Sequence, residues 1–183
     1  MPHHRLFVAL RPPAPTRARL LGIMGGVPAA RWQDDAQLHC TLRFIGEVDR
    51  HRAEDIAALL GRIRHPAMTL TLGDIGTFDQ AGRIDSLWVA VHPREGLKAL
   101  HDKIDRLLGQ AGVAPDMRAF LPHITLARFS RSAAAPPDVA SRIARPLIPP
   151  FDAISFELCE SHLGWSEGAM YETVARYPLE IGV

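Results

Sequence analysis

Leu38-His39-Cys40-Thr41-Leu42 is answered by Pro122-His123-Ile124-Thr125-Leu126, 84 residues further on in a chain of 183. Each copy of His-x-Thr-Leu sits in an apolar run bounded by turn residues, the pattern of a buried or half-buried strand. Side chains of a strand alternate between faces. His39 and Thr41 therefore share one face while Cys40 and Leu42 take the other, and His123 and Thr125 are likewise separated from Ile124 and Leu126. Each strand offers an imidazole and a hydroxyl to one surface and apolar side chains to a core.

Working outward, the flanking elements recur in the same order. Leu6-Phe7-Val8-Ala9-Leu10 matches Leu87-Trp88-Val89-Ala90-Val91 at an offset of 81, and Met68 to Leu72 matches Ile154 to Leu158 at an offset of 86. Three matches at a nearly constant offset predict one domain of two fused βαβ-type halves, about residues 4–80 and 85–180. An approximate two-fold axis would bring the two histidine strands together across a shared cleft.

Between these strands, Thr16 to Met24 reads as a helix stopped by Gly25-Gly26. Ala53, Ile56, Leu59, Leu60 and Ile63 mark a second helix, with Asp49 as its N-cap. Leu97, Leu100, Ile104, Leu107 and Leu108 give the clearest helical stripe in the chain. Gly76 to Asp85 reads as a loop carrying Phe78, and the second histidine strand as Phe120 to Phe129. Residues 130–150 turn to Ser, Ala, Pro and Arg. Pro137-Asp138 could open a short helix with Val139 and Ile143 inward, or the stretch could be a surface loop. Tyr171 to Leu179 is a last strand.

Composition narrows the function. A hydrophobic content of 47% supports a substantial core, and a net charge of +1 argues against a broad basic field for nucleic acid. It leaves room for a local anion site. Nineteen of the 21 cationic residues are Arg, which reads as genome composition before functional preference. Cys40 and Cys159 have no metal-type spacing and imply no disulfide framework. The N-terminal apolar run is too short for a signal peptide and no run spans a bilayer, so a cytoplasmic protein is expected.

An imidazole can give or take a proton near neutral pH. Facing each other across a cleft, His39 and His123 suit an in-line displacement at phosphorus, one activating water and the other protonating the departing oxygen. Thr41 and Thr125 can donate hydrogen bonds to the non-bridging oxygens. Zinc would need a third ligand that the sequence does not place, so no metal and no cofactor are expected.

With its flanks, Arg5-Leu6-Phe7-Val8-Ala9-Leu10, Arg31-Trp32, His39-Cys40-Thr41-Leu42-Arg43-Phe44-Ile45-Gly46-Glu47 and His123-Ile124-Thr125-Leu126-Ala127-Arg128, the chain resembles the 2H phosphoesterases. Within them it resembles the bacterial and archaeal 2′-5′ RNA ligase family, also called RNA 2′,3′-cyclic phosphodiesterases. The resemblance implies an α+β, two-lobed, pseudo-symmetric fold, with antiparallel sheets lining a central cleft and helices outside. It implies metal-independent hydrolysis of RNA 2′,3′-cyclic phosphate ends to 2′-phosphates, and joining of RNA ends through a 2′-5′ bond. His39 would protonate the departing 3′ oxygen, His123 would activate water, and Thr41, Thr125 and Arg128 would hold the phosphate.

Strand parity raises a conflict. It sends Arg128 to the face opposite His123 unless the strand ends, twists strongly or bulges, whereas Arg43 has the matching parity and is the second phosphate candidate. For stacking a base, Phe78 is the freer aromatic, with Phe7 and Trp32 assigned to the core and Tyr171 also available. The alternatives are a non-catalytic binder of phosphorylated RNA ends and a phosphodiesterase for another cyclic or 2′-5′-linked nucleotide. No obligate protein partner is implied, and a monomer is expected.

Overall fold

A computed structural model describes residues 3–130, 135–145, 147–163 and 169–182. The chain opens with strand β1 (His4–Leu10), helix α1 (Ala14–Ile23) and a short strand β2 (Ala30–Trp32), then β3 (Cys40–Val48) and helix α2 (Arg50–Leu60). Strands β4 (Met68–Gln80) and β5 (Arg83–His92) precede helix α3 (Arg94–Gln110) and strand β6 (His123–Phe129). Strands β7 (Phe151–Ala153), β8 (Ser155–Leu163) and β9 (Ala169–Pro178) complete it.

Among the described residues, nine antiparallel strands form one sheet in the order β7-β4-β5-β6-β3-β1-β8-β9, with β2 paired to β6. The two histidine strands are neighbours at its centre, joined by the single residue pair Cys40–Ile124. On either side of that seam the ladders are longer, so the sheet divides into two lobes that part from each other beyond it.

Alternation builds the core on one face. Leu6, Val8, Leu10, Cys40, Leu42, Val89, Val91, Ile124 and Leu126 are all buried with Leu20 of α1, Ile56 and Leu60 of α2, and Leu97, Leu100, Ile104 and Leu108 of α3. The helical stripe and the odd or even members of each strand thus satisfy one another, and the opposite face of the sheet is left to carry polar chemistry. Asp49 caps α2 as its position suggests, its carboxylate accepting from the Arg52 amide at 2.9 Å.

One stretch differs from expectation, and another decides between two alternatives. Gly76 to Asp85 is not a loop: β4 and β5 continue through it and turn at Ala81-Gly82, both at positive φ (53° and 74°). A two-residue turn with both residues left-handed matches the twist of the flanking strands. The polar Asp79, Gln80 and Asp85 disguised them. In the 130–150 stretch, of which 131–134 and 146 lie outside the described residues, a 3-10 turn at Val139–Arg142 buries Val139 and Ile143 as the helical alternative requires.

Candidate active site

The imidazoles of His39 and His123 are held in the same way. His39 Nδ1 lies 2.7 Å from the carbonyl of Gln37, and His123 Nδ1 lies 2.7 Å from the carbonyl of Leu121. A carbonyl can only accept, so each Nδ1 carries the hydrogen. Nε2 is then the proton-accepting nitrogen of each neutral ring, and a backbone bond fixes which nitrogen works.

The Gln37 carbonyl is itself fixed. It belongs to a 3-10 turn, Asp35–Gln37, closed by a reciprocal cap between Asp34 and Gln37. The Gln37 side chain also donates to the carbonyl of Ala169 at 2.9 Å, and Asp35 takes ion pairs from Arg17 and Arg11.

Aromatic rings wall both histidines. Phe7 and Tyr171 lie 5.0 Å from His39, Tyr171 edge-on, while Phe78 stands edge-on to His123 at 4.8 Å and Trp88 at 5.9 Å. Phe7 is buried as expected, but outside the main core: it packs with Ala9, Cys159 and Tyr171 on the opposite face of the sheet. Trp88 was not singled out from the sequence. The signal was present, because it occupies in Leu87-Trp88-Val89 the place of Phe7 in Leu6-Phe7-Val8.

This setting disfavours charge on the imidazoles. Burial pushes His39 down to about 4, opposed by the Gln37 carbonyl and reinforced by His123, Arg128 and Arg11 nearby. Burial lowers His123 too, opposed by the Leu121 carbonyl and reinforced by Arg128. Both shifts favour the neutral ring, and both imidazoles lie within the field of Arg128.

How Arg128 comes to face the histidines is the local surprise of the fold. Along β6, Thr125 pairs with Trp88 and Ala127 with Leu87, so Leu126 is left unopposed. This bulge shifts the alternation by one, and Arg128 pairs with Ser86 on the face that carries Trp88, Thr125 and His123. The same device occurs in β3: Thr41 pairs with Ala9 and Arg43 with Val8, leaving Leu42 unopposed. Both bulges have external partners for their carbonyls, His101 Nδ1 at 2.6 Å for Leu42 and the Gln33 amide at 2.8 Å for Leu126.

The second bulge corrects the expectation for Arg43. Its strand parity holds only without the extra residue; with it, Arg43 turns to the helix side, is 6% exposed, and pairs with Asp105 of α3 at 2.6 Å. Its other nitrogens donate to the carbonyls of Phe44 and Ala114. Arg43 is a structural tie: it borders the cleft described below, but its guanidinium is engaged by Asp105 and two backbone carbonyls. The face that Arg43 leaves is taken by Phe44.

Thr41 and Thr125 are half-buried on the imidazole face, and Arg128 is exposed there, 3.9 Å from Asp85. Beside His123 and Thr41 a cleft of about 630 Å³ opens between β3 and the segment leading into β6, with Phe44, Phe78, Phe120 and Arg118 among its walls. Such a volume suits a small organic ligand. Among the described residues no three His, Cys, Asp or Glu side chains are grouped as a metal ion would need. His162 is exposed and hydrogen-bonds Glu172 at 3.3 Å.

Two proton carriers with one tautomer enforced, hydroxyls beside them and a cation on the same face form a constellation for displacement at a phosphate. Comparisons agree. Residues 12–169 match the 2′-5′ RNA ligase superfamily. The RNA 2′,3′-cyclic phosphodiesterase of Escherichia coli is 34% identical over 141 residues, 73% of this chain and 76% of that one. That of Aeropyrum pernix is 37% identical over 105 residues, 57% of this chain and 59% of the relative, so the match spans less than two thirds of it. The crystal structure of Escherichia coli LigT complexed with 3′-AMP superposes with a TM-score of 0.79 at 28% identity, covering 97% of this chain and 99% of that one.

Proposed function

The chain belongs to the 2′-5′ RNA ligase superfamily, the 2H phosphoesterases, and from that footing we propose that it is an RNA 2′,3′-cyclic phosphodiesterase. It opens cyclic phosphate ends to 2′-phosphates with His39 and His123 as its two proton carriers. The observation that carries this reading is the matched anchoring of the two imidazoles by the carbonyls of Gln37 and Leu121, which leaves a working Nε2 on each.

Water attacks phosphorus from the His123 side and gives its proton to Nε2. The bond from phosphorus to the 3′ oxygen breaks on the opposite side, and His39 delivers a proton to that oxygen. Thr41 and Thr125 donate to the non-bridging oxygens as their charge grows, and Arg128 offsets that charge. His39 must hold a proton that its surroundings resist in the free protein. An anionic phosphate favours the imidazolium, so substrate and proton enter together.

The same positions serve joining of RNA ends, a ribose 5′ hydroxyl taking the place of water and giving a 2′-5′ bond. The reading takes the chain as a monomer of two half-repeats, about 4–80 and 85–180, that acts in the cytoplasm, the half-repeats exchanging outer strands so that β4 lies beside β5 and β8 beside β1. The substrate is the end of an RNA or a nucleoside cyclic phosphate. That Escherichia coli LigT forms a complex with 3′-AMP supports a nucleotide as the kind of ligand.

The test is incubation with adenosine 2′,3′-cyclic phosphate and with a short RNA ending in a cyclic phosphate, followed by phosphorus NMR. The expected product is a 2′-phosphate, formed at undiminished rate in EDTA. Turnover lost to chelator and restored by zinc or magnesium, or a 3′-phosphate product, contradicts the reading.

A further inference from the structure

In the Arg31-Trp32 pair, Trp32 is partly buried and Arg31 is exposed. Strand β2 runs beside β6 with Ala30 opposite Phe129, Arg31 opposite Arg128 and Trp32 opposite Ala127. Ala30 and Trp32 pack into the buried cluster of Leu87, Ala127 and Phe129. Directly opposed residues of antiparallel strands share a face, so Arg31 stands with Arg128 on the face of the imidazoles. The row continues across the sheet, where Arg128 pairs with Ser86 and Ser86 with Phe78.

Like charges directly opposite one another on paired strands repel. Elsewhere the fold answers its arginines with acids: Arg11 and Arg17 hold Asp35, Arg43 holds Asp105, and Arg118 holds Asp116. Arg128 has Asp85 at 3.9 Å, but Asp85 belongs to β5, on the edge of β6 away from β2. Arg31 has no acidic partner among the described residues. A pair of cations with its acid on the outer side only is a place for an anion.

The cyclic phosphate does not use up both charges. It is a diester with a single negative charge, and Thr41, Thr125 and Arg128 already serve its non-bridging oxygens. Arg128 is the arginine whose charge reaches both imidazoles, and Arg31 lies one strand further out. A nucleoside cyclic phosphate brings no second anion, whereas an RNA strand brings one at every internucleotide link. With a net charge of +1 the protein has no general attraction for RNA, so a preference for a strand has to come from individually placed cations.

We propose that Arg31 binds the internucleotide phosphate next to the cyclic phosphate of an RNA strand, and so makes an RNA end a better substrate than a nucleoside cyclic phosphate. This rests on the phosphodiesterase reading for its turnover assay, and the binding assay below is independent of it. Phosphate contacts position a strand without reading its bases, so the preference is for chain length and not for sequence.

The experiment compares kcat/KM for a diadenosine dinucleotide ending in a 2′,3′-cyclic phosphate with that for adenosine 2′,3′-cyclic phosphate, in the parent chain, Arg31→Gln and Arg31→Lys. The ratio of dinucleotide to mononucleotide should fall about three- to fivefold in Arg31→Gln and recover in Arg31→Lys. A ratio unchanged in Arg31→Gln overturns the proposal. So does an equal loss with both substrates, which would put Arg31 on the cyclic phosphate itself. Calorimetry with adenosine 3′-monophosphate and with the dinucleotide ending in a 3′-phosphate is the second arm. Arg31→Gln should weaken the dinucleotide relative to the mononucleotide and reduce its salt slope by about 0.7, and an unchanged relative affinity rejects the site. A parent that binds in this way but turns over neither cyclic phosphate would contradict the phosphodiesterase reading and leave the Arg31 site standing.

Discussion

Phe44 and Arg128 stand at the same point of the two histidine strands, each five residues beyond its imidazole and each turned onto the imidazole's face by an unopposed leucine. Without Leu42 and Leu126 as bulges, the side chains on that face would be Arg43 and Ala127. The bulges therefore decide which side chains of these two strands face the imidazoles, Phe44 on one and Arg128 on the other.

Arg128→Met is expected to lower kcat/KM by about tenfold or more, since it removes the cation opposite the growing phosphate charge. Arg43→Met should behave differently. It breaks a buried ion pair and strips the carbonyls of Phe44 and Ala114 of their donor, costing about 2–4 kcal/mol of stability. Urea unfolding of both variants separates the roles, and a phosphate-binding Arg43 would instead show intact stability with weakened affinity for inorganic phosphate.

His39→Ala and His123→Ala should each reduce turnover by about 10²- to 10⁴-fold with the circular dichroism of the parent retained. Near-native rates from either variant would remove that imidazole from the mechanism.

The two histidines titrate below their ordinary value in the free protein, His39 at about 4, so the profile of kcat/KM should lie on the acid side of the usual histidine range. Bound phosphate raises both, so the profile of kcat should lie to the alkaline side of it. Arg128→Met removes a cation that depresses both rings and should move the kcat/KM profile to higher pH. Coincident profiles in parent and variant would show that Arg128 does not act on the imidazoles.

Stability carries the same sign. His39, His123 and the buried His65 are all lowered by burial. The unfolded chain then binds more protons than the native one once pH drops below about 6.5, and stability should be full above that value and fall toward pH 4. Urea midpoints for His39→Asn should show a shallower acid slope than the parent, and an unchanged slope would mean that His39 is not the group responsible.

Gly76 is the floor of the Trp88 ring: a Cβ there would come within 2.4 Å of the indole. Gly76→Ala should displace Trp88 and, through it, Phe78 and His123, costing about 1–3 kcal/mol. Turnover should fall more than affinity for inorganic phosphate does. Equal losses in both would mean general disruption and not a shifted imidazole.

Much of this was legible from residues alone. His-x-Thr-Leu, twice, announced two strands with matched faces, and Cys40, Leu42, Ile124 and Leu126 do lie in the core. The stripe of α3 and the cap of α2 were equally plain, because periodicity and capping are local. The bulges were not, since a leucine is at home on the buried side of a regular strand or as the extra residue of an irregular one. That ambiguity sent Arg43 to the wrong face and left Arg128 to be rescued by resemblance. The strand continuing through Phe78 was hidden by its polar neighbours, whose partners lie across the hairpin and not along the chain.

The seam between the lobes has its own consequence. One backbone pair, Cys40–Ile124, is all that the central strands share, and the Cys40 thiol lies against the backbone of His123. The separation of the His39 and His123 rings is thus governed by the girth of a few side chains wedged where the lobes meet, not by a rigid lattice of amide bonds. A larger or smaller side chain at position 40 would therefore alter the separation of the two imidazoles while every polar side chain around them stays the same.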